Sequence, residues 1–340
     1  MENANCTNPE PCSPKRRYFS PHRSFTFEQT PNVDWGIRFS DESKAKGWLH
    51  SDVVQVAGFV IDRQVLGMAN TMVGFRDPGV DGILGLGMRS LATHGDPTPV
   101  ENLIYDMGMK SEVGIWLGSG KQGGELNFGG NDPARYKGSL SYFDLPDKVV
   151  YWAASVFSIA VEDAPPLHPP NKGSTASSLK QIDARTNPGA KQPSVIFDTA
   201  SNLILLPPRI ATKVHQYIHN SFFGLYTGYD IISGSYTVPC NLNKDIWIEL
   251  GPTVASKSGD PSSNSNTNPS RFKISGRDIV RERAGGISGL FNTCQSGIQA
   301  SRSNDDDWVL GNIWFMNNYM TLDYKHRQVG IAPAARPERS

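Results

Sequence analysis

A chain of 340 residues with 33 Lys and Arg against 33 Asp and Glu has no net charge at neutral pH, so it lacks the electrostatic footprint of a nucleic-acid or anionic-membrane binder. Hydrophobic residues make up 38% and charged residues 19%, with 33 Gly and 24 Pro, which suits a β-rich fold with many turns and length enough for two domains. No apolar run approaches the roughly 20 residues that span a bilayer. The first twenty residues hold Cys6, Cys12 and Lys15-Arg16-Arg17 without an apolar core, so no signal peptide is read there.

In chain order, residues 1–25 read as irregular. Trp35–Leu49 reads as a hairpin, with polar turn residues Ser40 to Lys44 between alternating apolar positions. Ser51–Gly58 continues as strand and turn. Val80-Asp81-Gly82-Ile83-Leu84-Gly85-Leu86-Gly87 reads as a strand whose glycines admit close approach of another backbone. A phosphate loop fits it poorly, because no Lys-Ser/Thr pair follows. A helix is predicted over 99–107, where Val100, Leu103, Ile104 and Met107 share a face, with strands at 113–117 and 124–130. Residues 164–193 and 256–270 are polar and read as solvated loops. Arg209 to Phe222 reads as a helix, and strands are predicted at 236–240, 246–250, 308–312, 319–324 and 328–333.

Between these elements lies Val195-Ile196-Phe197-Asp198-Thr199-Ala200-Ser201-Asn202-Leu203-Ile204-Leu205-Leu206-Pro207. Two apolar runs flank one carboxylate, so Asp198 is expected at a tight turn between buried strands. A carboxylate there needs hydrogen bonds, either from backbone N–H groups with the Thr199 and Ser201 hydroxyls or from a partner that displaces its titration for chemistry. The competing reading is an Asx-turn that merely ends a strand. The four cysteines lack C-x-x-C spacing, which disfavours zinc, and two local disulfides, Cys6–Cys12 and Cys240–Cys294, are the simpler reading. Disulfides imply an oxidising compartment, against the absence of a readable signal peptide. Ile83-Leu84-Gly85 and Val309-Leu310-Gly311 form a weak internal echo that suggests two related halves.

Taken together these segments resemble the pepsin family of aspartic endopeptidases across nearly the whole chain. Asp198-Thr199-Ala200-Ser201 with Val309-Leu310-Gly311 looks like the second-lobe catalytic loop and its crossing strand, and Asp81–Gly87 looks like the first-lobe crossing strand. Ser20–Phe27, Gly124–Gly130 and Val329–Pro333 are similar to further family signatures. The resemblance implies an all-β, bilobal acid-protease fold with pseudo-symmetric lobes over 1–150 and 151–335, a few short helices and an incomplete first lobe. It implies two carboxylates sharing one proton, because like charges about 3 Å apart cannot both ionise, and a water activated between them. It also implies a flap hairpin at Phe39, Ser40 and Asp41, and an extended peptide or protein substrate. No metal or cofactor, no nucleic-acid or membrane partner and a monomeric state go with it. The parent protein would be extracellular or vacuolar.

Three features depart from the family pattern. No Asp-Thr/Ser-Gly occurs in the first half; its place would fall just before Cys6–Cys12, so the sequence reads as N-terminally shortened, with Asp81 structural. Ala200 stands where the family has Gly, and its methyl is expected to crowd the loop or strain it. Phe39 stands for the flap Tyr and lacks its hydroxyl. The reading is therefore an aspartic endopeptidase by family with only Asp198 of the pair present. The alternative is an inactive peptide-binding protein of the same fold, or a fragment of a secreted protease. A Ser-His-Asp hydrolase is a poor fit, because no Gly-x-Ser-x-Gly elbow is present and Gly286-Ile287-Ser288-Gly289 does not match one.

Overall fold

The computed structural model describes residues 19–39, 43–75, 80–118, 123–146, 148–162, 179–185, 190–219, 229–230, 235–252, 269–283, 292–301 and 308–336. Two compact units divide the chain, Met1–Ser111 and Glu112–Ser340. The first is built on a three-stranded antiparallel meander, β1 (Glu28–Arg38), β2 (Lys44–Val56) and β3 (Phe59–Val73). β2 and β3 join through Ala57 and Gly58, both at positive φ (50° and 84°) with Val56 opposite Phe59, which is the two-residue turn that suits the right-handed strand twist. Helix α1 (Pro99–Tyr105) starts on a Thr98–Glu101 capping box and packs Val100 and Leu103 inward, where the predicted helix lies. Asn102 donates to Gln64 Oε1 of β3 at 2.9 Å, tying helix to sheet through a buried amide pair.

His50 on β2 lies fully buried against the rings of Phe19 and Phe27, with centroids 5.4 and 5.1 Å away. Neither of its ring nitrogens meets hydrogen-bond geometry, although Leu66 is its cross-strand partner. Burial holds its pKa below the ordinary histidine value, against the opposing pull of the Asp52 carboxylate. A depressed histidine stabilises the fold above its unfolded value of 6.5 and loses that contribution as pH falls through the folded value. His50→Phe is therefore expected to flatten the fall in melting temperature between about pH 7 and about pH 5. An unchanged slope in thermal melts would remove His50 as the cause.

The second unit contains β4 (Glu112–Trp116), β5 (Glu125–Phe128), β6 (Ser141–Asp144), β7 (Ala153–Glu162), β8 (Leu179–Asp183), β9 (Ser194–Phe197), β10 (Ile204–Leu206) and helix α2 (Pro208–His219). β11 (Tyr229–Asp230), β12 (Ser235–Pro239), β13 (Ile246–Leu250), β14 (Ser270–Ile274), β15 (Val280–Arg283) and β16 (Thr293–Ser296) follow. β17 (Ile298–Ala300), β18 (Trp308–Leu310), β19 (Asn318–Asp323) and β20 (Gln328–Pro333) complete it. One sheet runs β14-β13-β7-β9-β18-β10-β17 with β8 added on β7; a second runs β5-β4-β19-β20-β6, and a third β11-β12-β16-β15. Residues 112–144 belong to this unit because β4 and β6 hydrogen-bond to β19 and β20. The core is aromatic and aliphatic, with Trp308, Trp314, Phe315 and Tyr319 almost wholly buried.

The mainly-β architecture agrees with the sequence reading, and two local expectations need correction. Residues 80–86 form neither helix nor strand. A crossing strand exists only through its neighbours, and among the described residues no strand pairs with this run. Part of the 164–193 loop is strand: β8 pairs with β7 and buries Ile182. Its single inward apolar position is outvoted in a sequence window by the surrounding Ser, Lys and Pro. Residues 163–178 and 186–189, like the Cys6–Cys12 pairing, lie outside the described residues.

Cys240 and Cys294 form a disulfide with Cα atoms 5.0 Å apart, joining β12 to β16 across a separation of 54 residues. By the loop-entropy relation a link of that span is worth up to about 4 kcal/mol. Replacing both by Ala is expected to lower unfolding stability by roughly 2–4 kcal/mol in urea titrations.

Candidate active site

Asp198 follows β9 and begins the turn that leads into β10. β9 runs parallel to β18, with Val309 opposite Ile196 and Leu310 opposite Phe197. β10 runs antiparallel to the same strand, with Ile204 opposite Leu310 and Leu205 opposite Val309. β18 therefore lies between the two strands that enter and leave the Asp198 turn. Their apolar residues face a common interior, which is why Val195, Phe197, Ile204, Leu206 and Leu310 are buried while the turn stays partly open to solvent.

Backbone bonds lock the turn at both ends. Asp198 N–H donates to Leu310 C=O at 3.1 Å, and Ser201 N–H to Asp198 C=O at 3.2 Å. Gly311 N–H donates to Leu203 C=O at 3.1 Å, and Asn312 N–H to Ser201 C=O at 2.7 Å. The backbone crossing is so close that a Cβ on Gly311 would sit 2.3 Å from both the Ser201 and Leu203 carbonyl oxygens. Only glycine fits there. A further amide pair, Asn312 Nδ2 donating to Asn202 Oδ1 at 2.9 Å, joins the turn to the short helix Asn312–Phe315. The sequence reading missed this pair; its only signal was an Asn directly after Val309-Leu310-Gly311.

The Asp198 side chain is half-buried, and Oδ1 accepts from Ala200 N–H at 2.9 Å. Of the donors considered, a backbone N–H serves, while among the described residues neither the Thr199 nor the Ser201 hydroxyl bonds to it. That leaves Oδ2 without a partner among the described residues, pointing to a carboxylate that can take a water or a substrate group. Ala200 is exposed and is not among the residues at positive φ, so its methyl meets neither the crowding nor the strain expected of it. The crowding falls on Gly311 instead.

Phe39 closes the β1–β2 hairpin, its N–H donating to Ser43 C=O at 2.8 Å, and its ring meets Phe75 edge-on at 5.7 Å. Ser40 and Asp41 lie outside the described residues. Asp81 is exposed in the run without regular structure. Elsewhere in the second unit a polar cavity of about 480 Å³ is lined by Ser158, Asp183, Arg185 and Glu249 among others. Its charges are paired, Asp183 with Arg185 and Glu249 with Arg271, and it includes none of the predicted site residues. Among the described residues no cluster of His, Cys, Asp and Glu could hold a metal, and no helix is long and apolar enough to cross a membrane.

A carboxylate turn clasping an apolar-apolar-Gly strand is the arrangement that the sequence resemblance leads one to look for, and comparison with known proteins decides the matter. The sequence profile described as eukaryotic aspartyl protease matches residues 1–334. The chain belongs to this family. It is 29% identical over 330 residues to rhizopuspepsin-1 of Rhizopus niveus, covering 95% of this chain and 70% of that protein. Rhizopuspepsin of Rhizopus chinensis is 27% identical over 337 residues, covering 97% and 71%. Pregnancy-associated glycoprotein 2 of Bos taurus is 25% identical over 334 residues, covering 97% and 74%. Among the described residues, the Asp198 turn combines a half-buried carboxylate with a backbone clasped around β18.

Proposed function

We propose that the chain is an endopeptidase of the aspartic type, acting on extended peptides, with Asp198 as one of its two reacting carboxylates. The observation that supports this is the open Oδ2 of a carboxylate whose other oxygen and backbone are both held. Such a group can accept a proton from a bound water as that water attacks a peptide carbonyl, and return it to the leaving nitrogen, provided a second carboxylic acid polarises the carbonyl. A pair of this kind needs one proton shared between two acids, which sets activity on the acid side of neutral. Lobes over 1–150 and 151–335, a flap at Phe39, Ser40 and Asp41, a monomeric state and an oxidising extracellular or vacuolar setting belong to the same proposal. The Cys240–Cys294 disulfide supports the last of these.

A second reading, a peptide-binding protein without catalysis, is favoured by one observation. Among the described residues, no carboxylate turn clasps residues 80–86 as one clasps β18, so there the first unit offers no counterpart of the Asp198 turn. Cleavage of an unfolded protein substrate by the purified chain, assayed across acid pH with and without a statine-type inhibitor, separates the two. Inhibitor-sensitive acid cleavage supports the endopeptidase. A folded chain that binds the inhibitor without cleaving substrate overturns that reading in favour of the binding protein.

A further inference from the structure

We infer that the polar cavity on β13, β7 and β8 of the second unit is a binding site for a neutral saccharide of one or two sugar rings. Strand register builds it. Ser158 of β7 lies opposite Glu249 of β13 on one side and Asp183 of β8 on the other, and Glu249 lies opposite Arg271 of β14. Two residues along, on the same face, a second row runs Lys273, Trp247, Ala160 and Gln181. The row between them, Phe272, Ile248, Ile159 and Ile182, points the other way and is buried in the core. Ser158 is therefore a small floor among longer neighbours. The trough above it is the cavity of about 480 Å³, within the range of about 300–1,000 Å³ usual for small-molecule sites.

Charge selects the class of ligand. The charged side chains of these rows are already matched: Arg185 Nη2 meets Asp183 at 2.6 Å, Arg271 Nε meets Glu249 at 2.5 Å and Lys273 Nζ meets Asp245 at 2.7 Å. An ionic ligand would have to displace a partner, whereas a neutral one need not. Hydrogen-bonding capacity, by contrast, is left over in both directions. Gln181 Nε2 donates to Ser158 Oγ at 2.9 Å and to Glu249 Oε2 at 2.7 Å, and Gln192 Nε2 donates to Val156 C=O. Both amides are held by their nitrogens and keep an Oε1 acceptor unused among the described residues. Arg185 uses Nε and Nη2 on Asp183 and keeps Nη1 as a donor. A hydroxyl both donates and accepts, so a ring bearing several can answer fixed acceptors and a fixed donor together. Because the ion pairs and amide bonds hold these groups beforehand, less ordering is lost on binding. Trp247, half-buried on the same face, adds an apolar flank for the C–H side of a sugar ring.

The test titrates the whole chain with glucose, mannose, N-acetylglucosamine, maltose and cellobiose, read by saturation-transfer NMR. Saturable binding of at least one is expected. Gln181→Met removes the amide yet leaves Glu249 bonded to Ser158 and Arg271, and Arg185→Met removes the guanidinium from a solvent-accessible position. Both should keep the wild-type melting temperature and weaken binding about fivefold or more, the effect of one lost hydrogen bond. Ribonuclease B and its unglycosylated form, ribonuclease A, separate the two sources of such a ligand. Retention of the glycosylated form alone supports the site as a reader of protein-borne glycans; free-sugar binding without retention supports it as a site for free saccharides. No saturable binding of any of these probes would overturn the inference. So would binding unchanged in both variants, or tighter binding of glucuronate or glucosamine than of glucose. The sugar readout requires no cleavage, so it stands or falls apart from the endopeptidase reading.

Discussion

Asp198→Asn is expected to abolish acid-dependent peptide cleavage, lowering kcat/KM by on the order of 10³-fold or more, while leaving the protein folded. The two halves of this expectation have separate causes. Asparagine has the shape of aspartate and keeps an oxygen that can accept from Ala200 N–H, so the turn retains its one side-chain bond. The turn's other anchors, to Leu310, Leu203 and Ser201, are all backbone. An amide, however, cannot take a proton from water. Circular dichroism and thermal melts near the wild-type values, together with lost cleavage, would place Asp198 in the chemistry. Retained cleavage would move the reacting carboxylate elsewhere.

Gly311→Ala is expected to destabilise the second unit by about 3 kcal/mol, the upper end of the typical cost of forced overpacking. The added methyl would sit 2.3 Å from two carbonyl oxygens, and neither can retreat freely. Leu203 C=O accepts from Gly311 N–H, and Ser201 C=O from Asn312 N–H, so relieving the clash loosens both bonds and shifts the turn that carries Asp198. Each bond lost would add about 1 kcal/mol. Urea unfolding measures the loss directly. Gly85→Ala is the internal control: with no atom within 4 Å of its Cβ and no positive φ, its effect should stay within about 0.5 kcal/mol. Similar losses from the two substitutions would contradict the asymmetry between the units.

Much of this protein follows from local patterns. The alternation across Trp35–Leu49 specified the first hairpin, the apolar spacing and Thr98–Glu101 specified α1, and the run 195–207 specified two strands around Asp198. Periodicity and capping chemistry are properties of neighbouring residues, so the sequence carries them. Even the family could be read from motif order, because each motif records a geometric need. Partners from distant segments are a different matter. Leu179–Asp183 becomes a strand only because β7 lies beside it, and Val80–Gly87, although its composition promises a strand, pairs with none among the described residues. The bond that holds the Asp198 carboxylate, and the site of steric demand, were likewise decided in three dimensions. The methyl of Ala200 proved harmless because that turn residue faces solvent, whereas Gly311 is indispensable because two carbonyls from another strand crossing converge on it. Sequence determines which residues can make a strand or a turn; the tertiary structure decides which backbone meets which, since that depends on packing among segments far apart along the chain.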